Sequence, residues 1–186
     1  MASVERRAFM KGAGLGALAF TVGGVEVMMT TGQARAQRVP FRLLKAHEAE
    51  SIEALGETLV PGARRSGVAH FVDQQLSVPA EEALLQARIF NVRPPFANFY
   101  RAALGAVDRG SDKVFARKFV DLSAPEQSEF VNLMRQNKID GWTGPGAGFV
   151  YNVFRSDAVD VVYGTMEGYA ALGIPYQAHI VPERRW

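Results

Sequence analysis

The chain has 186 residues and no cysteine, which excludes disulfides, thiolate-held iron–sulfur clusters and C-x-x-C-H haem attachment. Its 21 basic and 19 acidic residues are unevenly placed: residues 1–36 hold four basic and two acidic side chains, leaving seventeen of each sign beyond them. The basic isoelectric point therefore belongs to the N-terminus and gives no reason to expect nucleic-acid binding.

Residues 1–36 read as an export leader. Arg6 and Arg7 are followed by Phe9 and Lys11, then by a weakly apolar, glycine-softened run from Gly12 to Val25. The paired arginines point to the twin-arginine route, which carries proteins already folded. Ala34 and Ala36 form an A-x-A exit, predicting a mature chain that begins at Gln37. A transmembrane anchor is disfavoured, because a span needs about 20 consecutive apolar residues and Glu26 interrupts this run. The expectation is a signal-peptide helix ahead of a single domain at 37–186.

Within that domain the apolar spacing is helical. After a polar lead-in from Gln37 to Lys45, Ala49, Ile52, Leu55 and Leu59 form a stripe that Pro61-Gly62 ends. Ser66 is a candidate N-cap for a helix burying Val68, Phe71, Val72 and Leu76, and Ala80 to Phe90 reads as a weaker helical segment. Pro95 enters the clearest helix, with Phe96, Phe99, Tyr100, Ala103, Leu104 and Val107 on one face. Arg109-Gly110-Ser111-Asp112 reads as a turn, after which Val114, Phe115 and Phe119 continue helically. Ser123 and Glu126 form a capping box. A last long helix is expected from about Ala147 to Tyr163, opened by the glycine-rich turn at 144–148. Asp157 is the one polar member of its apolar face.

No period-2 alternation between hairpin turns and no internal repeat is evident, so the domain is expected to be all-α, with six or seven short helices. The tail, 164–186, mixes glycine and proline with aromatics and is expected to be irregular apart from a turn of helix near Glu167 to Leu172. Asp157, Tyr163, Tyr169, Tyr176, His179 and Trp186 are the candidate tail or partner contacts. A carboxylate facing a core is costly unless paired, and the tail offers donors that could pin to Asp157. No nucleotide-binding or nucleophile-elbow motif occurs, and His47, His70 and His179 have no metal-ligand spacing. No catalytic, cofactor-binding or metal-ligating residue is expected in this chain.

Several stretches, in order, resemble the gluconate 2-dehydrogenase subunit 3 family, which includes gamma subunits of glucose, fructose and sorbitol dehydrogenases. They are Leu55-Gly56-Glu57-Thr58-Leu59-Val60-Pro61-Gly62, Gly67-Val68-Ala69 before Phe71-Val72-Asp73, and Pro95-Phe96 with Phe99-Tyr100. Phe119-Val120-Asp121-Leu122-Ser123, Arg155-Ser156-Asp157, Asp160-Val161-Val162-Tyr163-Gly164-Thr165 and Leu172-Gly173-Ile174-Pro175-Tyr176 complete them. The resemblance implies a non-catalytic small subunit of a periplasmic, membrane-associated sugar or sugar-acid dehydrogenase. FAD would sit in a large partner of the glucose–methanol–choline oxidoreductase type, and haem c in a multihaem cytochrome subunit. The small subunit's leader would carry the folded pair through the twin-arginine translocase. The rival readings are an independent exported binding or scaffold protein and a stand-alone periplasmic enzyme using carboxylates such as Asp157 and Asp160.

Overall fold

The computed structural model describes residues 16–174, where a two-stranded hairpin precedes eight α-helices. Strand β1 (Ala17–Val22) pairs antiparallel with β2 (Val25–Thr30), placing Leu18 opposite Met29 and Phe20 opposite Val27. This corrects the leader helix expected over this stretch; the 37–186 domain, expected to lack hairpins, has no strand among its described residues. The cause of the hairpin is local. Gly23 and Gly24 both have positive φ, 58° and 83°, as the two-residue turn that follows strand twist requires. Thr21, Val22, Val25 and Val27 around it are β-branched and favour extended backbone. Phe20 and Met29 turn inward and are buried, while Thr21, Glu26 and Met28 are exposed.

Helix α1 (Thr31–Ala36) follows at once, started by a capping box in which Thr30 and Gln33 exchange side-chain and backbone bonds. Helix α2 (Ala46–Leu59) buries the predicted Ala49, Ile52 and Leu55, and Glu48 accepts the Lys45 N–H at its start. Helix α3 (Val68–Leu76) is capped by left-handed Gly67 and not by Ser66, and all its residues from Val68 to Gln75 are buried. Helix α4 (Gln86–Ile89) is one turn long, shorter than the expected 80–90 segment. Turns around the exposed Glu81 and Glu82 precede it, and Ala83, Leu85 and Ala87 supply its anchors.

Helix α5 (Phe96–Phe115) carries the predicted apolar stripe and runs on through 109–112, correcting the turn expected there. Gly110 is a packing slot: a Cβ there would stand 2.9 Å from the Trp142 ring. The helix ends at left-handed Ala116, and Ser111 Oγ donates to the Arg117 carbonyl at 2.8 Å. Past a 3₁₀ turn at Phe119–Asp121, α6 (Ala124–Arg135) opens with the Ser123–Glu126 capping box. Helix α7 (Ala147–Tyr163) occupies the expected range, and α8 (Met166–Ala171) follows, its first turn capped by Thr165. The all-α expectation is met by the fold as a whole. Helix α7 is the hub, packed by α2, α3, α4, α6 and α8, while α2 packs against α3, α5, α6 and α7. No described helix is long and apolar enough to cross a membrane.

Candidate functional site

Asp157 lies on the inward side of α7 and is 1% exposed. Its Oδ2 accepts a hydrogen bond from the Tyr100 hydroxyl on α5 at 2.5 Å, and its Oδ1 accepts from the Gln86 N–H at the start of α4 at 2.9 Å. One carboxyl thus joins three elements. Three residues on, Asp160 accepts from the Gln86 side-chain amide at 2.6 Å, so Gln86 holds both aspartates. Burial raises the Asp157 pKa to about 7 against the opposing pull of its two donors, and the nearby Asp160 adds to the rise. Burial, then the Asp157 charge, pushes the Tyr100 phenol well above its ordinary value.

Among the described residues the hydrogen bonds of Asp157 go to Gln86 and Tyr100; Tyr176 and His179, two of the expected tail donors, lie outside them. The Asp157 bonds run to residues 71 and 57 positions upstream, because the Tyr100 ring stacks edge-on against Phe154 and brings its hydroxyl to the next turn of α7. Nor does Asp157 stand at a solvated rim of the apolar face, being 1% exposed. A carboxyl sealed in this way cannot touch a substrate, so the structure gives it no acid–base role in catalysis.

A second buried aspartate does comparable work. Asp73 of α3 accepts from the N–H groups of Arg42, Leu43 and Leu44 at 2.8, 2.9 and 2.8 Å, fixing the extended lead-in to α2. Beside it, His70 places Nε2 3.1 Å from the Val39 carbonyl and packs on the Phe41 ring. Burial lowers the His70 pKa, which favours the neutral ring. A narrow cleft between the hairpin and α3, lined by Phe20, Val39, His70 and Asp73 among others, has room for about one water. Among the described residues no group of three His, Cys, Asp or Glu side chains is assembled to hold a metal ion.

The outer surface beside the Asp157 junction is apolar. Ile89 and Phe90 at the end of α4 are 61% and 42% exposed, and Phe149 in the first turn of α7 is 37% exposed. Phe90 and Phe149 meet edge to face at 6.0 Å, and buried Phe99 backs Phe149 at 5.6 Å. Gln86, held by Asp157, sets the position of the turn that carries Ile89 and Phe90. The sequence places Tyr100 only on an apolar stripe and in the Phe99-Tyr100 stretch, and gives Gln86, Ile89, Phe90 and Phe149 no role. The available signal was Phe149, which stands beside the core positions Val150 and Val153 without sharing their side of the helix.

Of the sequence-predicted residues, Arg6, Arg7, Phe9 and Lys11 lie outside the described residues, as do Tyr176, His179 and Trp186. Ala34 is buried in α1 and Ala36 is exposed at its end. Tyr163 and Tyr169 are half-buried in α7 and α8, away from the two hydrogen bonds of Asp157.

The domain is small and helical, its buried carboxyls tie its own elements together, and aromatic side chains stand exposed beside them. The chain matches the gluconate 2-dehydrogenase subunit 3 family over residues 46–179 and belongs to that family. It is accordingly a subunit of a gluconate-dehydrogenase-type oxidoreductase complex. No curated protein and no solved structure shows a match to it.

Proposed function

We propose that this chain is the non-catalytic small subunit of a periplasmic, membrane-associated sugar or sugar-acid dehydrogenase. It binds and stabilises the catalytic flavoprotein and carries it across the membrane by the twin-arginine route. The flavoprotein is of the glucose–methanol–choline oxidoreductase type and supplies the FAD, and a multihaem cytochrome c subunit takes the electrons onward. The observation that supports this reading is the Ile89–Phe90–Phe149 surface, where exposed aromatic and aliphatic side chains are braced by Phe99 and by the Asp157–Gln86 bond. Rigid, desolvated aromatic anchors are what a stable protein interface uses.

Two experiments test it. Ile89→Asp combined with Phe149→Ser should abolish co-purification of the flavoprotein while leaving the melting curve of the small subunit near that of the unaltered chain. Unchanged co-purification would move the interface elsewhere. Changing Arg6 and Arg7 to lysine should leave dehydrogenase activity in the cytoplasmic fraction, and normal periplasmic activity would defeat the carrier role.

A further inference from the structure

We propose that this chain is not cut after Ala36, and that residues 17–36 remain in the working protein as a permanent clasp on α2 and α3. The A-x-A pattern at Ala34 and Ala36 is the sequence of a leader exit, but the folded backbone there is not a cleavable one. A processing peptidase needs the residues before the scissile bond extended, with their small side chains free to enter its pockets. Ala34 is fully buried among Phe20, Met29 and Val39. The N–H of the bond itself, at Gln37, is held by the Gln33 carbonyl at 2.9 Å, and the Val39 N–H closes the helix end onto the Ala34 carbonyl at 2.9 Å.

The contacts from this segment into the domain are built from both sides. Thr31 Oγ1 donates to the Ser66 carbonyl at 2.6 Å. Gly67 is left-handed and lies so close that any Cβ would overlap the Thr31 carbonyl. The start of α3 is therefore shaped to receive α1. Arg35 grips Glu53 of α2 with two nitrogens, at 2.8 and 3.2 Å. Phe20 and Met29 close over Val39, whose carbonyl holds His70. Removing residues 1–36 would strip Val39 of its apolar neighbours, empty the slot at Gly67 and take the closer arginine from Glu53. The clasp itself, residues 17–36, lies outside the family match over residues 46–179, while Glu53, Ser66, Gly67 and His70, which face it or its neighbour Val39, lie within.

Export through Arg6 and Arg7 is untouched by the proposal, and the two readings fail separately, one by fractionation and one by the position of the N-terminus. The test is intact mass and N-terminal sequencing of the full chain isolated from its own cells through a C-terminal tag. A chain starting at or before Gly16 is expected. A start at Gln37, or anywhere after Gly16, overturns the clasp. In parallel, a chain begun at Gln37 should melt about 5 °C or more below the full chain, or fail to fold. Equal melting temperatures would overturn the proposal as well.

Discussion

Asp73 and Asp157 are both buried, 4% and 1% exposed, and both hold a connecting segment against a core helix. They differ in what they collect. Asp73 gathers three N–H groups from consecutive residues 42–44, acting as an external cap for one loop. Asp157 takes one peptide N–H and one phenol from two different elements, 71 and 57 residues away. The Asp73 junction is local in space and uniform in chemistry. The Asp157 junction is a three-way tie, with two donors among the described residues to offset full burial and a second carboxylate three residues along, and its carboxyl is pushed to about 7. A buried acid can thus be structural in two ways, and the Asp157 kind makes the fold sensitive to pH.

That contrast can be broken in stages. Asp73→Ala should have the largest effect, a loss of about 4 kcal/mol in urea unfolding, because three N–H groups, that of Leu44 buried and those of Arg42 and Leu43 partly so, lose their charged acceptor together. Next comes pH. The Asp157 pKa is raised in the folded state, so its contribution is complete below the unfolded value of 3.8 and is lost as pH rises through about 7. Integrated over that window, the loss is at most about 4 kcal/mol. Denaturation from pH 4 to 8 should therefore show stability falling toward neutrality, and Asp157→Asn should flatten that part of the curve. An unaltered slope in the variant would assign the dependence to other groups.

Tyr100→Phe should cost about 1–2 kcal/mol in the same assay, since it removes one of the two donors and leaves the ring packing on Phe154 in place. Its pH midpoint should move upward, because the lost bond favoured the charged carboxylate. Asp160→Asn should have the smallest effect, within about 0.5 kcal/mol, as for most changes at exposed positions. Its partner is the exposed end of Gln86, and the Gln86 backbone bond to Asp157 remains.

Much of the fold was legible because apolar spacing is a local property. The stripe from Phe96 to Val107, the Ser123–Glu126 box and the 147–163 helix all follow from residues within a few turns of one another. So did the family, through short stretches read in order, which the match over residues 46–179 bears out. The polarity of Asp157 on an apolar face was visible as well, and the residue is indeed buried.

What the sequence could not supply was the identity of the partners. The Asp157 donors, Gln86 and Tyr100, come from α4 and α5 through tertiary packing, and no spacing rule connects positions 57 and 71 apart. The turn expected at 109–112 is helix, and Trp142, 32 residues beyond Gly110, fills the groove there. The hairpin is the sharpest case. Its Gly-Gly turn and alternating Leu18, Phe20, Val27 and Met29 were all present, but an apolar run behind two arginines has the same composition as a leader. The sequence by itself determined, through apolar spacing, a helical domain and, through the absence of cysteine, one without disulfides. Only the tertiary structure decided that residues 17–36 belong to it, because that depends on the fit of α1 against Gly67 and Glu53, which are distant in the chain and adjacent in space.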